Sequence, residues 1–190
     1  MPRKTTPRLS EALAQYMTNR RTYCAATTVS NDQALLRKFV REVGDRQVHL
    51  LNQTHVETWF ARESERQMAS SYNKVRTRVA GFIDFCQRRG WLTQDLLGEI
   101  RPRKVVQRER LRLSANQLRR MIETAENPRD RAMIAIGCNT GLRSSDIVRL
   151  RIRDVDLDQG VLRVRVKKTG KVDELPITSD LDPELRAWLS

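Results

Sequence analysis

The sequence predicts a mainly α-helical protein with a small antiparallel β-sheet towards its carboxyl end. Four segments in the first hundred residues carry apolar side chains at helical spacing. Residues 161–177 instead alternate apolar and polar side chains around a Thr-Gly turn, as a hairpin does. We therefore predict a helical domain over residues 1–100, a basic linker over 101–112 and an α+β unit over 113–190.

Four helices are predicted in the first domain. The first covers residues 10–20, and the second covers 28–43 and ends at Gly44. Thr54 and Glu57 fit a capping box that opens the third helix, and Ser70 or Ser71 begins the fourth. The predicted inward faces are Leu13, Tyr16, Met17, Val29, Leu36, Phe39, Val40, Val43, Val56, Trp59, Phe60, Tyr72, Val75, Val79, Phe82, Ile83 and Cys86. Short joins between such helices predict a four-helix bundle.

The unit after the linker begins with three helix signals. Ser114 and Gln117 form a capping box, and the helix that follows is predicted to bury Leu118, Met121 and Ile122. Asn127 and Pro128 open a second helix that Gly141 ends. Ser144 or Ser145 is predicted to cap a short third helix.

A three-stranded antiparallel sheet is predicted next, with strands near residues 155–157, 161–166 and 172–177. In the central strand one face is apolar and the other carries Arg163 and Arg165. Asp182, Pro183 and Glu184 then form a strong helix start.

The charge balance indicates a polyanionic partner. The formal net charge is +13 and the isoelectric point is about 10.6, which favours nucleic acid over a merely solvated basic surface. The linker, RPRKVVQRERLR, holds six cations and one acid. It is read either as a solvated connector or as a segment that follows DNA phosphates.

Composition argues against several other classes. The three cysteines, Cys24, Cys86 and Cys138, are too widely spaced for a disulfide framework or a C-x-x-C metal site. Both histidines lie in the first third, so no metal ion or other cofactor is predicted. Apolar stretches long enough for a membrane span or a secretory signal do not occur, and we expect a cytoplasmic protein, associated with the nucleoid of a bacterium or phage.

Two motifs resemble signatures of the tyrosine recombinase (phage integrase) family. Residues 139–150 read NTGLRSSDIVRL, and about twenty residues later the chain reads RVKKTGKVDELPI. A G-W-L after the fourth helix, the basic linker and an L-x-L-S start extend the match upstream. The resemblance implies a SAM-like core-binding bundle followed by a partial α+β catalytic domain. It also implies double-stranded DNA as partner, since full-length members assemble as tetramers on DNA.

Family chemistry transfers a DNA phosphodiester to a tyrosine hydroxyl without metal. The resemblance makes Arg143 a donor to the phosphate oxygens, Asp146 the acid that supports it, and Lys168 the general acid. Each residue also has a simpler interpretation. Arg143 is then an ordinary surface arginine, and Asp146 is an acid that stabilises the first turn of a helix. Lys168 is then one lysine of a cationic turn that contacts phosphate, in which Lys167 and Lys171 are equivalent candidates.

The family's His-x-x-Arg pair and nucleophilic tyrosine have no counterpart in these 190 residues, whose tyrosines are Tyr16, Tyr23 and Tyr72. We therefore expect a shortened recombinase that binds DNA and does not cut it. The alternatives are a DNA-binding regulator that occupies recombination sites, and an unrelated basic helical binder of RNA or DNA.

Candidate DNA contacts lie in three places: the fourth helix, the linker and the cationic face of the central strand. Arginine and asparagine there suit phosphate contacts and base edges. The candidates are Asn73, Lys74, Arg76, Arg78, Arg103, Lys104, Arg163 and Arg165.

Overall fold

The described residues of the computed structural model, 6–107, 111–166 and 170–190, form eight α-helices and one three-stranded antiparallel sheet. This confirms the predicted fold class. The chain divides into two compact units, Met1–Arg108 and Glu109–Ser190. In the described parts of the chain, no helix is both long and apolar enough to cross a membrane.

Four helices build the first unit: α1 (Leu9–Arg21), α2 (Ala26–Val43), α3 (Gln53–Arg66) and α4 (Ala69–Arg88). The inward residues predicted from helical spacing are all buried in one continuous core. The chain after α4 joins that core through Leu92, Leu96 and Ile100. Edge-to-face aromatic contacts run from Phe39 through Trp59 and Phe60 to Tyr72, which stabilises the packing of α2, α3 and α4.

Two helix starts in this unit differ from the sequence prediction. The amide N–H of His55 donates to the side chain of Asn52 at 3.0 Å, so the N-cap of α3 is Asn52, two residues before the predicted Thr54 cap. The Thr54–Glu57 capping box is therefore wrong, because asparagine competes as well as threonine for the cap. Helix α4 begins at Ala69, after Met68, whose side chain makes no capping bond, so Ser70 and Ser71 lie inside the first turn.

Two buried carboxylates link the helices of the first unit. Asp32 on α2 is 3% exposed and forms ion pairs with Arg20 of α1 and with Arg78 of α4. Glu63 on α3 is fully buried and pairs with Lys38 of α2. Burying a carboxylate is costly unless it is paired and hydrogen-bonded, so these contacts fix which helix faces meet.

The helices of the second unit are α5 (Ala115–Glu123), α6 (Pro128–Thr140), α7 (Ser144–Ile147) and α8 (Asp182–Leu189). The strands are β1 (Val155–Asp156), β2 (Val161–Arg165) and β3 (Val172–Pro176), in the order β1-β2-β3. The alternating pattern of β2 buries Leu162 and Val164. They pack with a small set of buried residues from α6, α8 and the N-cap of α8: Ala132, Ala135, Ile136, Leu185 and Leu181.

Four local predictions in this unit can be compared with the structure. The Ser114–Gln117 capping box and the Asn127 cap are present. The predicted burial of Met121 is wrong: its side chain is 41% exposed, while Leu118 and Ile122 are half-buried. Helical spacing marks an apolar face but does not say that another element covers it. The cap position of α7 is Arg143 and not Ser144 or Ser145.

Candidate nucleic-acid interface

The turn between α6 and α7 presents Arg143 on the surface. Gly141 ends α6 with a left-handed φ of +64°, which glycine adopts without steric cost. The amide N–H of Leu142 donates to the Thr140 hydroxyl at 3.3 Å. The carbonyl of Arg143 accepts from the amides of Asp146 at 2.8 Å and Ile147 at 3.1 Å. These bonds fix the backbone of Arg143 while its side chain stays exposed.

Asp146 lies in the same turn but points away from solvent. It is 5% exposed and belongs to the first turn of α7, where a negative charge is favoured. One local segment thus positions an exposed guanidinium and a buried carboxylate.

A cleft of about 620 Å³ in the second unit joins two of the predicted site residues. Asp146 and Arg165 both line it, and Arg143 is not among its lining residues in the described part of the chain. The remaining lining residues are Arg149, Leu150, Arg151, Arg153, Asp154, Val166 and Gly170. Three of these arginines were missed at the sequence level. The available signal was their alternate spacing in RLRIRD, directly after the TGLR motif.

The hairpin turn is described only in part. Lys168, predicted as the general acid, and its neighbour Lys167 lie outside the described residues. Lys171 is described and is exposed.

The two arginines predicted on β2 have different surroundings. Arg163 pairs with Glu174 of β3 at 3.1 Å and with Asp156 of β1 at 3.4 Å. Arg165 lies across from Val172, so its cross-strand neighbour supplies no carboxylate. Arg163 is therefore held by the sheet, whereas Arg165 is exposed.

The candidate DNA contacts of α4 are mostly engaged within the first unit. Asn73 donates from its amide nitrogen to the carbonyl of Arg103 at 2.8 Å and accepts from the Arg103 amide at 2.8 Å. Arg76 donates to the carbonyl of Ile100, and Arg78 pairs with buried Asp32 at 3.0 Å. Lys74 is exposed. Binding of DNA by these four residues stays a prediction.

Arg103 is bound to the bundle through its side chain as well. Its guanidinium donates to the carbonyls of Ser64 at 2.8 Å and Gln67 at 3.1 Å, which are left free at the carboxyl end of α3. It also lies over the ring of Tyr72, 5.7 Å from the centroid. Lys104, the next residue, is exposed. The start of the linker is thus attached to α3 and α4, an arrangement that we call the Asn73–Arg103 clamp.

The tyrosines all belong to the first unit. Tyr16 and Tyr72 are about 95% buried, and burial raises the pKa of both phenols. Tyr23 is 61% exposed, with Arg20 over its ring. Among the described residues, no group of three or more His, Cys, Asp or Glu side chains is placed to hold a metal ion.

Comparison with known proteins identifies the second unit. Residues 111–190 match the phage integrase family. The chain is 32% identical over 125 residues to tyrosine recombinase XerC of Azotobacter vinelandii, an alignment that covers 63% of this chain and 42% of that protein. It is 32% identical over 136 residues to tyrosine recombinase XerD of Ralstonia nicotianae, covering 69% and 44%. The chain therefore spans less than half the length of these relatives.

Solved structures share the fold. A lambda integrase tetramer bound to a Holliday junction superposes with a TM-score of 0.80 at 18% identity, covering 95% of this chain and 55% of that one. The Tn1549 transposon integrase gives 0.72 at 15% identity, covering 95% and 64%. The chain belongs to the tyrosine recombinase (phage integrase) family.

Proposed function

We propose that these 190 residues are the DNA-binding portion of a site-specific tyrosine recombinase, acting in DNA integration and recombination. The observation that carries this proposal is the TGLR turn, which fixes the backbone of an exposed Arg143 at the start of α7, the helix that holds the buried Asp146, within the segment that matches the family. A guanidinium presented in this way suits the developing charge on a phosphate in the transition state. The lambda and Tn1549 integrases, which share the fold, were solved on DNA.

Duplex DNA is the proposed partner, and its phosphates neutralise the surplus of cations. A net charge of +13 predicts affinity that falls steeply with salt. The lambda integrase, which shares the fold, forms a tetramer bound to a Holliday junction. We propose that any such assembly of this chain occurs on DNA, with the protein at the bacterial or phage nucleoid.

We propose further that this chain does not cleave DNA by itself. Transfer to an enzyme tyrosine needs an accessible hydroxyl next to the phosphate-binding arginine. Tyr16 and Tyr72 are buried in the first unit, and Tyr23 lies beside Arg20 of that unit. None of the three belongs to the unit that holds Arg143.

Binding and cleavage can be tested on one set of duplexes. Sites would be enriched from a randomised duplex library, and the same sites would then be prepared with a nick that traps covalent intermediates. We expect retention of duplex DNA and no covalent protein–DNA adduct on denaturing gels. Absence of duplex binding would overturn the first proposal, and any adduct would overturn the second.

The family roles of Arg143 and Lys168 need a matched comparison. The double variant Arg143→Gln/Lys168→Gln would be measured against Arg119→Gln/Arg120→Gln, which removes the same charge from the exposed face of α5. We expect affinity to fall about tenfold more in the first variant, since it removes fixed phosphate contacts. Equal losses would favour an unspecialised basic binder over a recombinase fragment.

A further inference from the structure

The cleft in the second unit is lined by four arginines that have no ion pair with a carboxylate among the described residues. Arg149, Arg151, Arg153 and Arg165 line it together with two aspartates, Asp146 and Asp154. Elsewhere in this unit, Arg131, Arg163 and Arg186 each pair with a carboxylate within 3.1 Å. The four arginines of the cleft form no ion pair with a carboxylate in the described parts of the chain.

Local structure brings these four side chains to one place. Arg149 follows α7, and Arg151 precedes a 3-10 turn, Ile152–Asp154, that contains Arg153. The carboxylate of Asp154 accepts from the backbone amide of Arg151 at 2.9 Å, so this acid shapes the turn. The turn packs beside β2, whose last residue is Arg165. Segments far apart in sequence therefore converge on one cleft.

Clustered unpaired cations repel one another, which costs folding free energy unless an anion joins them. Guanidinium groups bind phosphate through two parallel N–H bonds, and several can bridge one phosphate or two adjacent ones. A DNA backbone supplies closely spaced phosphates that a cleft lined by several arginines can contact.

We propose that this cleft is a second DNA-phosphate site, formed by Arg149, Arg151, Arg153 and Arg165 and separate from the contact made by Arg143. The proposal rests on DNA binding by the chain. It adds a backbone contact that positions the duplex and leaves the reacting phosphate to Arg143. Arg143 is not among the described residues that line the cleft, and the proposal therefore assigns the two contacts to different phosphates.

The test compares two variants of equal charge. The cleft variant is Arg149→Gln/Arg151→Gln/Arg153→Gln, and its control is Arg119→Gln/Arg120→Gln/Arg129→Gln, three exposed arginines on α5 and α6 of the same unit. Duplex affinity of the full chain is measured by fluorescence anisotropy over a range of salt concentrations. Each phosphate contact contributes about 0.9 to the slope of log affinity against log salt.

We expect the cleft variant to lower that slope by about 2 and the control to change it by less than about 1. Equal slopes for the two variants, with wild-type binding intact, would overturn this inference and leave the proposed function standing. If the unsubstituted chain does not bind duplex DNA, the proposed function fails as well. Thermal melting of both variants checks that they fold.

Free inorganic phosphate is the alternative ligand, because it offers the cleft arginines the same oxygens as a DNA phosphate. Melting temperatures are therefore measured in sodium phosphate and in sodium chloride at one ionic strength. A cleft variant that loses stabilisation by phosphate yet keeps the duplex affinity and slope of the control would identify a small-anion site, and would overturn the proposal of a DNA contact. Loss of the salt slope on duplex DNA supports it.

Discussion

The arginines of α4 and the linker start in the first unit differ from those of the cleft in the second unit in the partners that they contact. In the first unit, the arginines of α4 and of the linker start are engaged by the protein: Arg78 by Asp32, Arg76 by the Ile100 carbonyl, and Arg103 by the end of α3. In the second unit, the arginines around the cleft have no carboxylate partner among the described residues. The difference indicates that the arginines around α4 stabilise the first unit, whereas those around the cleft of the second unit are exposed to a ligand.

The two units also differ in the size of their buried cores. Among the described residues, the first unit buries 25 apolar side chains in one cluster, including a chain of aromatic rings, whereas the second unit buries seven. Met121 and Val148 remain exposed in the second unit. We therefore expect the first unit to be the more rigid body, and the second to depend more on its ligand for stability.

The largest expected effect concerns the buried carboxylate of the first unit. Asp32→Ala removes the buried shared partner of Arg20 and Arg78 and leaves these two half-buried arginines without a carboxylate. We expect the free energy of unfolding of the first unit to fall by about 3 kcal/mol, as measured by urea denaturation of the full chain followed by tryptophan fluorescence.

Asp84→Ala is the matched control for that change. It removes an ion pair with Arg88 on α4 whose side chains are 58% and 70% exposed, so solvent already screens the interaction. The expected loss is below about 0.5 kcal/mol. Similar losses in the two variants would contradict the idea that arginines of the first unit act as internal scaffold.

A smaller effect is expected at the Asn73–Arg103 clamp. Asn73→Ala removes both hydrogen bonds to the backbone of Arg103, each 2.8 Å long. Global stability should fall by about 1 kcal/mol, because alanine's better helix propensity offsets part of the loss. The sharper readout is hydrogen exchange, where the Arg103 amide should lose its protection.

Ser71→Ala is the control for the clamp. Ser71 lies exposed two residues earlier on α4. Its replacement should leave exchange at Arg103 unchanged. If Asn73→Ala also left that amide protected, the linker start would be held by something other than the clamp, and Asn73 would be freed for the DNA contact that its sequence position predicts.

Helical and strand periodicity predicted the core of both units because burial follows local spacing. The stripe from Tyr72 to Cys86 and the alternation of Leu162 and Val164 are examples. Some of the observed N-caps lie near the predicted ones but do not coincide with them. At α3, Asn52 occupies the N-cap position that was predicted for Thr54. Motif comparison supplied Arg143 and Asp146, which composition alone could not have separated from other charged residues.

The remaining errors and omissions arise from contacts between distant residues. Asn73 and Arg103 are thirty positions apart, and nothing local indicates that their polar groups meet. The cleft combines Arg149, Arg151 and Arg153 with Arg165 and Val166, so its lining depends on how the 3-10 turn packs against the sheet. Burial of Met121 depended on a covering element that periodicity does not specify.

The smallest expected effect is a difference in reactivity between a cysteine thiol in the core of the first unit and one in the second. Burial raises the pKa of Cys86 in the first unit from its ordinary value of 9.0 to about 12, whereas Cys138 in the second unit is only half-buried. At pH 8 the thiolate fraction of Cys86 is about one in ten thousand. Iodoacetamide should therefore modify Cys138 of the native chain and spare Cys86, as read by peptide mass spectrometry.

The same shift has a consequence for stability. Because the folded pKa of Cys86 lies above its unfolded value, unfolding releases a proton once the pH exceeds about 9, and the first unit should lose stability from there towards pH 12. A Cys86→Ala variant should lack that part of the pH dependence. Equal labelling of Cys86 and Cys138 in the native chain would mean that reagent reaches both thiols equally. The expectation that the first unit is the more rigid body would then be wrong.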